Sequence, residues 1–226
     1  MGTCSMMARR GVLGVLAGGA VAMLGGCGLF GGQKAYRFRM TVEVETPQGV
    51  KAGSSVYQVW AATNKAKLLP EEHARDWGVK GEAVTVDLGG GQYLFALMKT
   101  GAIQGDLAGM SMTALDPAFH NDIVESAARI AAGDGVRSPA EVARADWPLL
   151  VRFRNLADPK SVEQVSPEVA RVKRIVVETT SDAVTTGIEK QLGWLMRLNG
   201  GYLDGSTIGS AANKGMLAGY FSKEIK

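Results

Sequence analysis

Cysteine and histidine are nearly missing from this chain. Of its 226 residues two are cysteine and two are histidine, which excludes a disulfide framework, a thiolate zinc site and a multi-histidine metal centre. A dominant sign of charge is missing as well. Lys and Arg number 25 against 22 Asp and Glu, a formal charge of +3, so there is no electrostatic footprint for nucleic acid. Aromatic residues make up 7% and prolines number seven, whereas glycines number 30. The chain also lacks a convincing membrane span. Gly11 to Gly32 carries no charge, but nine of those 22 residues are glycine. Each interior glycine costs a helix about 1 kcal/mol relative to alanine, so the segment is a poor permanent transmembrane helix.

What the amino terminus does have is the layout of an export signal. Arg9-Arg10 supplies a basic n-region, Val12 to Leu24 a short apolar stretch, and Gly25-Gly26 small residues at a cleavage point. The next residue is Cys27. Leu24-Gly25-Gly26-Cys27 resembles the lipobox of bacterial lipoproteins, which implies diacylglyceryl attachment to the Cys27 thiol, cleavage before it, and acylation of the new amino terminus with a fatty acid such as palmitate. Several acyl chains at about 0.8 kcal/mol per buried methylene anchor firmly. Arg9-Arg10-Gly11-Val12-Leu13 also resembles the twin-arginine export motif, although Ala8 stands where that motif has Ser or Thr and Val12 where Phe is common. The plainer reading is positive-inside charge for the general export route. Met6 and Met7 are alternative start positions that would leave Cys4 untranslated. Gly28 after the cysteine is not the aspartate that resembles an inner-membrane retention signal, so the outer membrane's periplasmic face is expected.

Cleavage removes Arg9 and Arg10 but no acid and leaves 23 basic against 22 acidic residues. Cys27 is then the sole cysteine and lipidation consumes it, so no disulfide is expected despite an oxidising compartment. The expected organisation is a signal over 1–26, a lipidated glycine-rich tether over 27–35, and one globular domain over 36–226, long enough for a sizeable core.

Within that domain, Tyr36 to Thr46 alternates apolar and polar residues without a break and predicts a half-buried strand, with Tyr36, Phe38, Met40, Val42 and Val44 inward. Pro47-Gln48-Gly49 reads as a turn into a second strand over 54–61. Residues 68–77 read as a polar connection with a helical turn after Pro70. Glu82 to Leu88, Gly89-Gly90-Gly91 and Gln92 to Lys99 predict a second hairpin, with Val84, Val86 and Leu88 opposite Leu94, Ala96 and Met98. Residues 101–113 read as loop. Asp116-Pro117 predicts the start of a helix running to Ala132 and ending at Gly133, burying Phe119, Ile123, Val124, Ala127 and Ile130. Ser138-Pro139 predicts a short helix to Ala145. Strands are expected over 149–156 and 172–180, and a helix over 187–198 capped by Thr185 or Thr186. Met216, Leu217, Tyr220 and Phe221 are candidates to dock the tail. The fold class expected is α+β: antiparallel hairpins in one or two sheets, with two to three helices packed on one side. Tyr36-Arg37-Phe38-Arg39 echoes Val151-Arg152-Phe153-Arg154, which is better read as two wet strand faces than as a duplication.

Chemistry is thin. A helical turn would put His73 and Asp76 on one face, and His120 lies near Asp116 and Asp122; either group could ligate a divalent metal through imidazole and carboxylate. Neither has the paired-histidine spacing of a zinc helix, and a solvated loop and an acidic first helical turn explain them more simply. Metal and cofactor are therefore both read as none. Ser111, Asp116 and His120 fall in hydrolase order but are packed into ten residues, and Gly109-Met110-Ser111-Met112-Thr113 lacks the final glycine of a nucleophile elbow. Residues 209–215 transpose the lysine and glycine of a phosphate loop. Glu43 and Glu45 share a strand face with Arg37 and Arg39, which suits a solvated ion-pair face better than acid–base work. Exposed members among Trp60, Trp77, Trp147 and Trp194 would suggest carbohydrate or protein contact, whereas buried ones are core.

Gly53-Ser54-Ser55-Val56, Val151-Arg152-Phe153 with Asp158 to Val162, and Val177 to Thr180 with Val184 to Glu189 together resemble a group of bacterial exported proteins and lipoproteins to which no activity is assigned. The resemblance spans most of residues 36–198 and implies no functional residue. The function expected is a lipid-anchored envelope protein acting as a binding or structural module rather than an enzyme, with an envelope protein as a partner. The alternative is a periplasmic hydrolase, metal-assisted or not, using His73 or His120 with nearby carboxylates.

Overall fold

The eleven-residue alternation from Tyr36 becomes the central strand of the molecule. A computed structural model of the chain describes residues 32–63, 75–101, 106–136, 139–198, 201–206 and 215–223. Strand β1 (Lys34–Thr46) turns through Pro47-Gln48 into β2 (Gly49–Thr63), in unbroken register from Lys34↔Ala61 to Thr46↔Gly49. On its other side β1 pairs with β9 (Val172–Thr179), Met40 opposite Val177 and Val42 opposite Ile175. Because side chains alternate faces along a strand, Tyr36, Phe38, Met40, Val42 and Val44 all point into the core, as predicted, and all are buried. Their outward neighbours form ion pairs across the strands: Glu43 with Arg174, and Arg39 with Glu178 and Asp182.

Strands β3 (Arg75–Glu82), β6 (Ala140–Glu141) and β10 (Ser222–Lys223) complete a six-stranded antiparallel sheet in the order β10-β3-β2-β1-β9-β6. The expected helical turn after Pro70 lies outside the described residues, but Trp77 sits in β3 rather than in a connection. That strand was hidden because Arg75–Glu82 offers little apolar alternation. Pairing with β2, from Gln58↔Lys80 to Thr63↔Arg75, supplies what propensity does not.

The second hairpin is as predicted. Strand β4 (Val84–Gly89) pairs with β5 (Gln92–Thr100), Val84 opposite Ala96 and Val86 opposite Leu94. A register shift between Asp87 and Gly89 takes Leu88 out of line, and Gly89, Gly90 and Gly91 all adopt the left-handed φ that favours glycine. Strand β7 (Pro148–Phe153) and β8 (Val162–Val165) extend this into a four-stranded sheet in the order β4-β5-β7-β8. Leu94 to Met98 are buried without interruption, since this sheet is covered on both faces. One face meets the inner face of the six-stranded sheet. The other carries Phe95, Leu97 and Val151 and is covered by Ile188, Leu192, Trp194, Leu195 and Phe221. Phe95, Phe153, Trp194 and Phe221 form an aromatic cluster with centroids 5.6 to 5.9 Å apart. The tail therefore docks through Met216 and Phe221, as expected of it.

Helices differ most from expectation. Residues 107–115 form α1 (Leu107–Leu115), not a loop. Its small residues and glycine read as irregular, yet six of its nine residues are buried, and an element buried on most sides needs no polar stripe. Asp116 ends α1, its N–H donating to the Met112 carbonyl. The next helix, α2 (Ile123–Ala132), starts at the cap Asp122, whose side chain accepts from Glu125 N, and it stops at Gly133 as predicted. No helix forms after Pro139; β6 and a helical turn at Arg144–Asp146 stand there, while Ser138 lies outside the described residues. Four residues after Ser166 form α3 (Pro167–Ala170). The helix expected over 187–198 is broken into a turn at Ile188–Lys190 and α4 (Leu195–Leu198). Thr185 does not cap it; its hydroxyl accepts from Val56 N at 2.8 Å. The buried carboxylate of Glu82 instead accepts from Gly187 N (3.0 Å) and Ile188 N (2.9 Å). The chain is thus mostly antiparallel β in two sheets with short helices, a more β-rich balance than expected. No helix among the described residues is long and apolar enough to cross a membrane.

Candidate functional site

Among the described residues, those singled out for chemistry do not converge. Arg9, Arg10, Leu24, Gly25, Gly26, Cys27 and His73 lie outside the described residues. Asp76 pairs with Ala62 while Trp77 pairs with Ala61, so the two project from opposite faces of β3. Asp116 is buried and held by Arg129, whose Nε and Nη2 lie 3.0 and 2.7 Å from Oδ2. Burial opposes its ionisation, but the guanidinium and the Ala118 N–H outweigh that and hold the carboxyl below its ordinary range. His120 is exposed in the link between α1 and α2. Ser111 is fully buried, its hydroxyl 2.8 Å from Tyr36 Oη and donating to the Ala108 carbonyl at 2.9 Å. The hydrolase order in the sequence therefore yields a helix end fastened to its neighbour, not a triad. Glu43 is chelated by Arg174 at 2.9 and 2.7 Å and Glu45 is exposed, which matches the ion-pair reading. Among the described residues no group of three or more His, Cys, Asp or Glu could hold a metal.

The tryptophans divide cleanly. Trp147 and Trp194 are buried and donate to the Val142 carbonyl (2.9 Å) and the Leu156 carbonyl (2.8 Å). Trp60 is half-buried, its ring lying against Gly78. Trp77 is 45% exposed.

Trp77 borders a groove of about 480 Å³ built by β3, the end of β5, α1 with its cap, the link into α2 with the first residue of α2, and the turn at Arg144–Asp146. Asp106 organises one wall. Its Oδ1 accepts from Gly109 N at 2.9 Å and caps α1, while its Oδ2 accepts from the Trp77 indole N–H at 2.9 Å. One carboxylate thus fixes both a helix end and an aromatic ring. Thr100 lines the groove and is 3% exposed, and its hydroxyl has no hydrogen-bond partner among the described residues. Asp146, Phe119 and Asn121 line it too, Asn121 in the left-handed conformation at φ +67°. Two other depressions are present among the described residues. One, of about 470 Å³, is centred on Arg144 stacked over Trp147 at 5.2 Å. The other, of about 300 Å³, opens beside the β1–β2 turn over Val44, Leu94 and Val165.

The sequence held one clue to the groove, the possibility of an exposed tryptophan, but not which one. Asp106 fell just inside a stretch read as loop, and its contact with Trp77 spans 29 positions. No family profile, curated protein or solved structure matches the chain.

Proposed function

We propose that this is a lipid-anchored protein of the bacterial envelope that acts as a binding module, with residues 1–26 as signal, Cys27 as the lipidated residue, a tether from it to the start of β1 at Lys34, and the working domain from there on. The observation that carries the reading is the coincidence of Arg9-Arg10, a short apolar stretch and Leu24-Gly25-Gly26-Cys27 a few residues before β1 begins at Lys34. The seven Cα–Cα steps from Cys27 to Lys34 span at most about 25 Å when extended, so the domain works close to the bilayer surface, on the periplasmic side of the outer membrane. Binding rather than catalysis is supported by the occupation of Asp116 and Ser111 in structural contacts. The groove beside Trp77 is the binding surface.

The test is metabolic labelling with an alkynyl fatty acid, read after membrane fractionation. The wild-type chain should incorporate label and sediment with membranes. Cys27→Ala should lose the label and accumulate as the unprocessed precursor. Label-free wild-type protein, or equal labelling of Cys27→Ala, overturns the anchor.

A further inference from the structure

The groove beside Trp77 has a sign of charge and a fixed ring. Asp106 and Asp146 line it, and among the described residues no lysine or arginine does. Asp146 makes no salt bridge with a described residue. We propose that this groove binds an organic cation, an alkylammonium group, seated against the face of Trp77 and neutralised by Asp146. The inference rests on the groove being the protein's binding surface and names the chemistry of what it takes.

Three physical points converge. A cleft lined by carboxylates with apolar walls focuses a negative potential that attracts cations and repels anions; Met110, Phe119 and Ile123 supply those walls. Tryptophan is the best aromatic partner for an ammonium group. Trp77 combines 45% exposure with an indole N–H committed to Asp106 at 2.9 Å, so its ring is held before a ligand arrives. A receptor group ordered in advance loses little freedom on binding. Thr100, 3% exposed, lies in the same wall, and its hydroxyl has no hydrogen-bond partner among the described residues. A bare metal ion is disfavoured because among the described residues no group of three or more His, Cys, Asp or Glu stands there to hold one.

Two sources carry this chemistry, a lysine side chain of an envelope partner and a free polyamine. The experiment titrates the full chain, purified in detergent at neutral pH, with Nα-acetyl-lysine amide, spermidine and tetramethylammonium, following the indole N–H resonances by NMR. Trp77→Phe assigns the Trp77 signal. Expected is a saturable shift of that signal, with affinity reduced about tenfold or more in Asp146→Asn. Glu189→Gln, on an exposed turn away from the groove, should leave it unchanged. Tighter binding of lysine amide assigns the ligand to a protein partner and tighter binding of spermidine to a small amine. Equal affinity in Asp146→Asn of intact fold, equal binding of the neutral isostere tert-butanol, or no saturation up to about 100 mM amine overturns the proposal. Cys27→Ala should bind amine as the wild type does, so failure of the lipid anchor and failure of the cation site are read separately.

Discussion

Asp116 shows how one residue can look catalytic in a sequence and be structural in a fold. It ends α1, accepts from Ala118 N, and clamps Arg129 of α2 through two nitrogens. Arg129 also reaches Glu125 at 2.5 Å, so three charges tie one helix end to the next helix. A carboxyl whose folded pKa lies below its unfolded value stabilises the protein above that unfolded value, near 4, and the contribution disappears as pH falls through the folded pKa. Glu43, depressed chiefly by its hydrogen bonds from Arg174, acts in the same direction. Urea unfolding of the wild type should therefore weaken progressively below about pH 4. Asp116→Asn should lose about 1–3 kcal/mol at pH 7 and show a shallower acid dependence. An Asp116→Asn curve parallel to the wild type from pH 7 to pH 3 would remove the ion pair from the stability account. Asp106 belongs to the same class of residue, but its second oxygen holds an exposed ring rather than another helix.

Elements meet most tightly where β2 crosses β4. A Cβ on Gly53 would fall 2.1 Å from the Thr85 carbonyl oxygen, so the two backbones touch at a position only glycine can occupy. Gly193 is the contrast, with ordinary backbone angles and nothing within 4 Å of a built Cβ. Gly53→Ala should destabilise by about 1–3 kcal/mol or more through forced separation of the strands. Gly193→Ala should be neutral or stabilising by up to about 1 kcal/mol, since it narrows only the unfolded chain. Denaturant midpoints of the two variants check the pair, and similar losses would contradict the strand crossing. At this scale β1, the β4–β5 hairpin and the Gly133 helix stop were legible because each is written locally, as alternation, as a turn or as a cap. The polar strand β3, helix α1 and the broken helix after Gly187 were not. Each depends on a partner far away in sequence: β2 for β3, burial on most sides for α1, and the Glu82 carboxylate for the turn at Ile188–Lys190.

The domain that begins at Gly32 is layered in its described residues. The four-stranded sheet is sandwiched between the six-stranded sheet and a later segment that includes Ile188, Trp194 and Phe221. Phe221 is fully buried against Phe95, Phe153 and Trp194 while its carbonyl accepts from Ala83 N at 2.8 Å. The tail is therefore part of the core. Phe221→Ala should cost about 3–5 kcal/mol and bare the aromatic face of the second sheet. The measurement is chemical unfolding together with binding of a dye that reports exposed apolar surface. Wild-type stability and no added dye binding would show the tail to be dispensable.

The sequence by itself determined the inward face of β1, the second hairpin and the scarcity of cysteine and histidine that confines the chemistry. Those properties are local, because they follow from composition, from a period of two, or from residues that fix their own backbone angles. Only the tertiary structure decided that Asp116 fastens helices, that Ser111 is sealed in the core, that Trp147 and Trp194 are buried while Trp77 is exposed, and that Asp106 and Asp146 flank one groove. Those outcomes depend on which distant segments pack together. A carboxylate becomes a clamp or a binding group according to whether folding brings an arginine or open space beside it.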